Sequence, residues 1–205
     1  MINPVISRTI QSVISFTWPV VVISTIIMVS FRLCYLIKNK QRIVLYKELS
    51  MLIFGIYILC LFQVVTFQDD VSWASNNFIP FKEIMRYHIM SRLFFKNVLG
   101  NMIMFFPFGL FTSYYLKVNN MKLPILLTVI ASISIECVQL SIGRVFDVDD
   151  IILNILGGIT GYLLYKIVKK ISECFPKLWH KEWFLNTLSI LVLIGLITGI
   201  IIIWI

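Results

Sequence analysis

Apolar positions in this chain fall into long runs separated by short polar connections, most of them basic. Runs from about Val13 to Phe31, Leu49 to Phe67, Asn97 to Leu116, Pro124 to Ile142, Ile151 to Val168 and Phe184 to Ile205 each approach the roughly 20 residues a helix needs to cross a hydrocarbon core. The pattern predicts an all-α fold, a polytopic helical membrane protein of about six transmembrane helices. The expected organisation is a transmembrane helix and basic cytoplasmic loop over 1–48, a four-helix core over 49–168, and a basic loop with a last transmembrane helix over 169–205. The first run is longer than a signal-peptide core and lacks a small-residue cleavage pattern at its end, so it reads as a retained helix.

The connection from Gln68 to Lys96 is the long polar one. It holds Asn77-Phe78-Ile79-Pro80-Phe81 and then Lys82 to Lys96, where Ile84, Tyr87, His88, Ser91 and Phe95 recur at helical spacing among basic residues. Two readings fit that second piece: an amphipathic helix lying in the membrane interface, or an irregular loop with snorkelling basic side chains. In either, His88 is interfacial and not a ligand.

Composition strengthens the membrane reading. Hydrophobic residues make up 59% of the 205 residues and charged residues 14%, which excludes an ordinary soluble domain. The net charge of +8 does not imply nucleic acid, because the basic residues sit in the connections, where they orient the chain and meet anionic lipid. With the N-terminus outside, the inner loops hold eleven Lys and Arg and the outer connections six, with Arg32 uncounted at a helix end. Both termini are therefore expected outside a cell membrane crossed several times. Cys34, Cys60, Cys137 and Cys174 lie on different elements with no pair spacing and read as free thiols.

Against this background, the polar residues within or beside the spans are the candidates for function, since each is costly in hydrocarbon unless paired or employed. Asn97 and Asn101 lie four apart at the start of the third span, and Pro107 and Gly109 allow a bend and close approach further along it. Glu136 and Gln139 share a face of the fourth, with Glu136 well below the outer surface and Arg144 as its candidate partner. Asp147, Asp150 and Asn154 follow at intervals of three and four on one face at the start of the fifth, where Asp147 is a good N-cap. Gly157 and Gly161 form a small-xxx-small strip for tight packing. Spans three to five thus carry their polar residues at one end.

Three uses of that end stay open from the residues alone. Its net negative charge suits a cationic ligand group or a hard divalent cation, with Glu136, Asp147 and Asp150 as the metal set; no cofactor is specified. Paired carboxylates also suit general acid and base chemistry, whereas nucleophilic catalysis is disfavoured, because no His, Cys or Ser stands there with triad spacing. The third use is a buried network that only fixes helix packing.

Asn77 to Phe81, Asn97 through Asn101 into Phe106-Pro107-Phe108-Gly109, Ser134-Ile135-Glu136 with Gln139, and Arg144-x-x-Asp147-x-x-Asp150-x-x-x-Asn154-x-x-Gly157 ending in Gly161-Tyr162 together resemble the VanZ family of bacterial membrane proteins, over about residues 49 to 168. That resemblance implies a VanZ-like four-helix core and a link to glycopeptide antibiotic resistance, teicoplanin in particular, without fixing a reaction. The expected function is an envelope protein with an outward-facing polar pocket. Its partners would be the lipid bilayer and a glycopeptide antibiotic or lipid-linked cell-wall intermediate. The alternative is a membrane-embedded enzyme acting on a lipid-linked cell-wall substrate with carboxylate or divalent-metal chemistry.

Overall fold

The computed structural model describes residues 4–66, 76–86, 91, 94–179 and 181–204. The expectations for Tyr87 and His88 fall outside the described residues. In chain order the helices are α1 (Pro4–Lys38), α2 (Leu45–Thr66), the short α3 (Lys82–Arg86), a π-helical turn (Phe95–Leu99) leading into α4 (Gly100–Leu116), α5 (Lys122–Ser141), α6 (Val148–Cys174), α7 (Pro176–Trp179) and α8 (Glu182–Trp204). No strand occurs among the described residues; one isolated parallel bridge joins Asn77 to Asp147.

Among the described residues, four helices are long and apolar enough to cross a membrane: Trp18–Lys38 within α1, Leu45–Gln63 within α2, α5 and α6. α4 has 17 residues, below that length because the turn before it, Phe95–Leu99, is π-helical; it ends at Leu116 as expected, where Lys117 turns left-handed at φ 49°. α1 and α6 run past their expected ends, to 35 and 27 residues. Basic residues such as Lys38, Lys166, Lys169 and Lys170 are good helix formers, so a helix need not stop where its apolar run does.

The chain divides into two compact units, Met1–Phe67 with Cys174–Ile205, and Gln68–Glu173. In the first, α1, α2 and α8 pack on one another. Arg32 on α1 grips Glu48 on α2 through two bonds, Nε to Oε2 at 2.7 Å and Nη2 to Oε1 at 2.9 Å. This fork neutralises two charges that would otherwise be expensive beside apolar spans. Arg42 reaches Glu182, and the Tyr46 N–H donates to Asn186 Oδ1, tying the start of α2 to α8.

The second unit buries Phe105, Leu153 and Tyr162 together with a polar stripe. Its α5 buries Pro124, Thr128, Ser132, Glu136 and Gln139, a stripe at steps of three and four, while Leu126, Ile130, Ile133 and Leu140 on the same helix are exposed. A small, polar interior under an apolar surface is the arrangement hydrocarbon solvent favours and water does not. Glycines let the helices close on it. A Cβ at Gly109 would sit 2.0 Å from the Gly158 carbonyl oxygen, one at Gly157 2.2 Å from that of Met102, and one at Gly161 2.1 Å from that of Phe106. α4 and α6 therefore meet backbone to backbone, with Pro107 inside α4 between two of these contacts. On its other flank Gly158 takes the Thr128 side chain of α5.

Because the obstacles at Gly109 are backbone atoms, Gly109→Ala should destabilise the purified protein by about 1–3 kcal/mol. Gly195→Ala, with nothing within 4 Å of the added carbon, should not lower stability. Thermal unfolding in detergent distinguishes them; equal melting of Gly109→Ala and wild type would contradict the close crossing.

Candidate functional site

The polar residues gather around the turn between α5 and α6. α5 ends in a Schellman motif: the Arg144 N–H donates to the Gln139 carbonyl at 2.9 Å and the Gly143 N–H to that of Leu140 at 3.2 Å. Gly143 takes φ +85°, a conformation glycine adopts without steric cost. The tight reversal brings the start of α6 back over the end of α5, and the Asp147 N–H donates to Glu136 Oε2 at 2.9 Å. Glu136 is 1% exposed. Arg144 is the cation whose field reaches both Glu136 and Asp150.

Asp147 caps α6, its Oδ1 accepting the Asp149 N–H at 2.9 Å. The same oxygen accepts Asn77 Nδ2 at 2.8 Å. Asn77 is clamped further by backbone bonds, its N–H to the Phe146 carbonyl and its carbonyl from the Val148 N–H. Phe78 stacks on Phe146 with ring centroids 5.4 Å apart. Burial pushes the Asp147 carboxyl above its ordinary range, against the opposing effect of its bonds from Asn77 and the Asp149 N–H.

Asp149 is buried and turned the other way. Oδ1 accepts the Phe81 N–H at 2.5 Å, and Oδ2 accepts the N–H groups of Glu83 and Ile84 at 2.7 and 3.1 Å. It thus caps α3 from another element and holds Phe81 at φ 66°. Nothing in the sequence signals this role, since capping across a separation of 66 residues leaves no local pattern.

Deeper along α6, Asp150 accepts a hydrogen bond from Asn101 Nδ2 of α4, and Asn154, one turn on, donates from Nδ2 to Ser132 Oγ of α5 at 2.9 Å. Asn154 Oδ1 is buried and has no hydrogen-bond partner among the described residues. Gln139 is buried on the Glu136 face, and Asn97 sits half-buried in the π-helical turn. Such wide turns recur at functional sites. Asn101, Ser132, Glu136, Asp147, Asp150 and Asn154 thereby join α4, α5 and α6 at one end.

The suggested metal set of Glu136, Asp147 and Asp150 does not assemble. Among the described residues no three acidic, His or Cys side chains are grouped to hold a metal ion.

A bundle with a polar interior, an apolar exterior and several spanning helices defines a polytopic helical membrane protein. The family model described as VanZ/LLP1 matches residues 54–169, more than half of the chain, and the chain belongs to that family. No curated protein and no solved structure matches it significantly.

Asn can replace Asp147 as cap and acceptor without a buried charge. A carboxyl whose folded-state pKa is raised contributes stability present below its unfolded value, near pH 4, and lost as pH rises through the folded one. Thermal unfolding against pH should therefore show a weaker loss between acid and neutral pH in Asp147→Asn than in wild type. Asp147→Ala, which removes the cap, should cost about 0.5–2 kcal/mol at every pH. Parallel pH curves for Asp147→Asn and wild type would contradict the assignment.

Proposed function

We propose that this protein acts at the outer face of the cell membrane, with both termini outside, as an envelope protein. Glu136, Arg144, Asp147 and Asp150, flanked by Asn97, Asn101, Gln139 and Asn154, receive a polar, cationic part of a glycopeptide antibiotic of the teicoplanin type or of a lipid-linked cell-wall intermediate. The observation that carries this reading is the joining of three helices at one end by buried and half-buried carboxylates and amides, with Asn154 Oδ1 left without a donor among the described residues. A network built only for packing would be expected to satisfy that oxygen, because an unpaired buried acceptor is destabilising. The carboxylates outnumber Arg144, which favours a cationic group that also donates hydrogen bonds. The positive-inside distribution of Lys and Arg supports the outward direction.

The test is teicoplanin susceptibility in a strain lacking the protein, complemented with wild type or Glu136→Gln at matched membrane levels. Gln keeps an acceptor for the Asp147 N–H while removing the charge. Wild type should protect and the variant should not; equal protection by both would show the cluster to be dispensable.

A second reading, an enzyme acting on a lipid-linked cell-wall substrate, draws on the electrostatic coupling of Asp150 to Glu136. Two interacting carboxylates suit acid and base roles. Purified protein would then convert a lipid-linked wall precursor, and both Asp150→Asn and Glu136→Gln would abolish turnover. Absence of turnover over a panel of such lipids would leave the binding reading.

A further inference from the structure

We infer that the opposite end of the second unit holds a binding site for the phosphate headgroup of an anionic phospholipid, built from Lys166, Lys169 and Lys170 of α6 against the α4–α5 connection. These side chains line a cleft of about 430 Å³ together with Val118, Asn119, Ile167 and Glu173. The site lies away from the carboxylate cluster and does not depend on the function proposed for it.

Helix length accounts for the location. α6 has 27 residues, or about 40 Å at 1.5 Å each, against a hydrocarbon core of about 30 Å. With the carboxylate end of α6 at one boundary, its last two turns emerge among headgroups on the other side. Lys166, Lys169, Lys170 and Glu173 follow there at steps of three and four and so share a face. Like charges one turn apart repel, and a phosphate between them removes the repulsion.

The cleft is shaped by bonds that sequence position alone does not provide. Tyr162 donates its hydroxyl hydrogen to the Asn119 carbonyl at 3.1 Å, and Lys169 Nζ donates to Asn119 Oδ1 at 2.9 Å. Both fix the connection against α6, and the second uses one donor of an ammonium that has three. Three lysines against one carboxylate leave the lining positive, which complements a phosphodiester. The adjacent α6 surface is apolar and exposed at Leu163, Ile167 and Ile171, offering a track for an acyl chain. That continuity between a cationic cleft and a lipid-facing strip selects a bilayer lipid over a soluble anion.

Native mass spectrometry of the delipidated full-length protein, titrated with phosphatidylglycerol, reads the site directly. Wild type should retain one phosphatidylglycerol more tightly than phosphatidylcholine. The triple variant Lys166→Gln, Lys169→Gln, Lys170→Gln should lose at least about tenfold in that affinity. The corresponding triple Arg variant should keep it, and Glu173→Gln, which removes the opposing charge, should tighten it. Undiminished binding by the Gln variant would overturn the proposal, as would equal binding of phosphatidylcholine. Displacement of the lipid by millimolar glycerol phosphate would overturn the lipid source in favour of a free anion.

Discussion

The hydrogen bond from the Asp147 N–H to the Glu136 carboxylate fixes how α5 and α6 meet, and much of the second unit follows from it. Glu136 is buried in a helix apolar enough to span a membrane, where a carboxylate without a donor would be untenable. The donor comes from the backbone at the start of the next helix, and Gly143 supplies the turn that brings it there. Once that reversal is set, Asp147 can cap α6, Asp149 can cap α3, and Asp150 and Asn154 face α4 and α5. One run of polar residues thus organises four neighbouring elements.

Packing in the rest of the unit obeys the same constraint from the other direction. Helices in lipid gain little from burying apolar side chains against each other, so close approach and polar contacts have to hold them together. Gly109, Gly157 and Gly161 give α4 and α6 direct backbone contact, and the interior keeps small hydroxyl residues such as Ser113, Thr128 and Ser132. Thr128 and Ser113 satisfy their hydroxyls on carbonyls four residues back along their own helices. Ser132 instead accepts from Asn154, which makes that point a polar link between two helices.

Much of this was legible in the sequence because it repeats at helical spacing. Each of the six apolar runs falls on a helix, four of them long and apolar enough to span among the described residues, and the intervals Asp147, Asp150, Asn154 and Gly157, Gly161 put those residues on the interior face at and beyond the start of α6. What the sequence did not disclose is long-range. Nothing local tells that the Gly157 strip meets Met102 and Phe106, that Asn77 docks beside Asp147, or that Asp149 caps a helix more than sixty residues earlier. Helix ends were also misread where lysines continue a helix beyond its apolar run, as in α6. Arg144, the partner expected for Glu136, acts on it electrostatically, while the Glu136 carboxylate takes the Asp147 N–H. A backbone donor has no signature in side-chain identity.

In the proposed orientation the carboxylate end of the second unit faces outward and the lysine end inward. Single cysteines placed at the exposed positions Ile79 and Asn120, in a chain whose own cysteines are replaced by Ala, report this directly. In intact cells a membrane-impermeant maleimide should label the cysteine at position 79, and should reach that at position 120 only after the membrane is permeabilised. Labelling of position 120 in intact cells, with position 79 protected, would contradict the account.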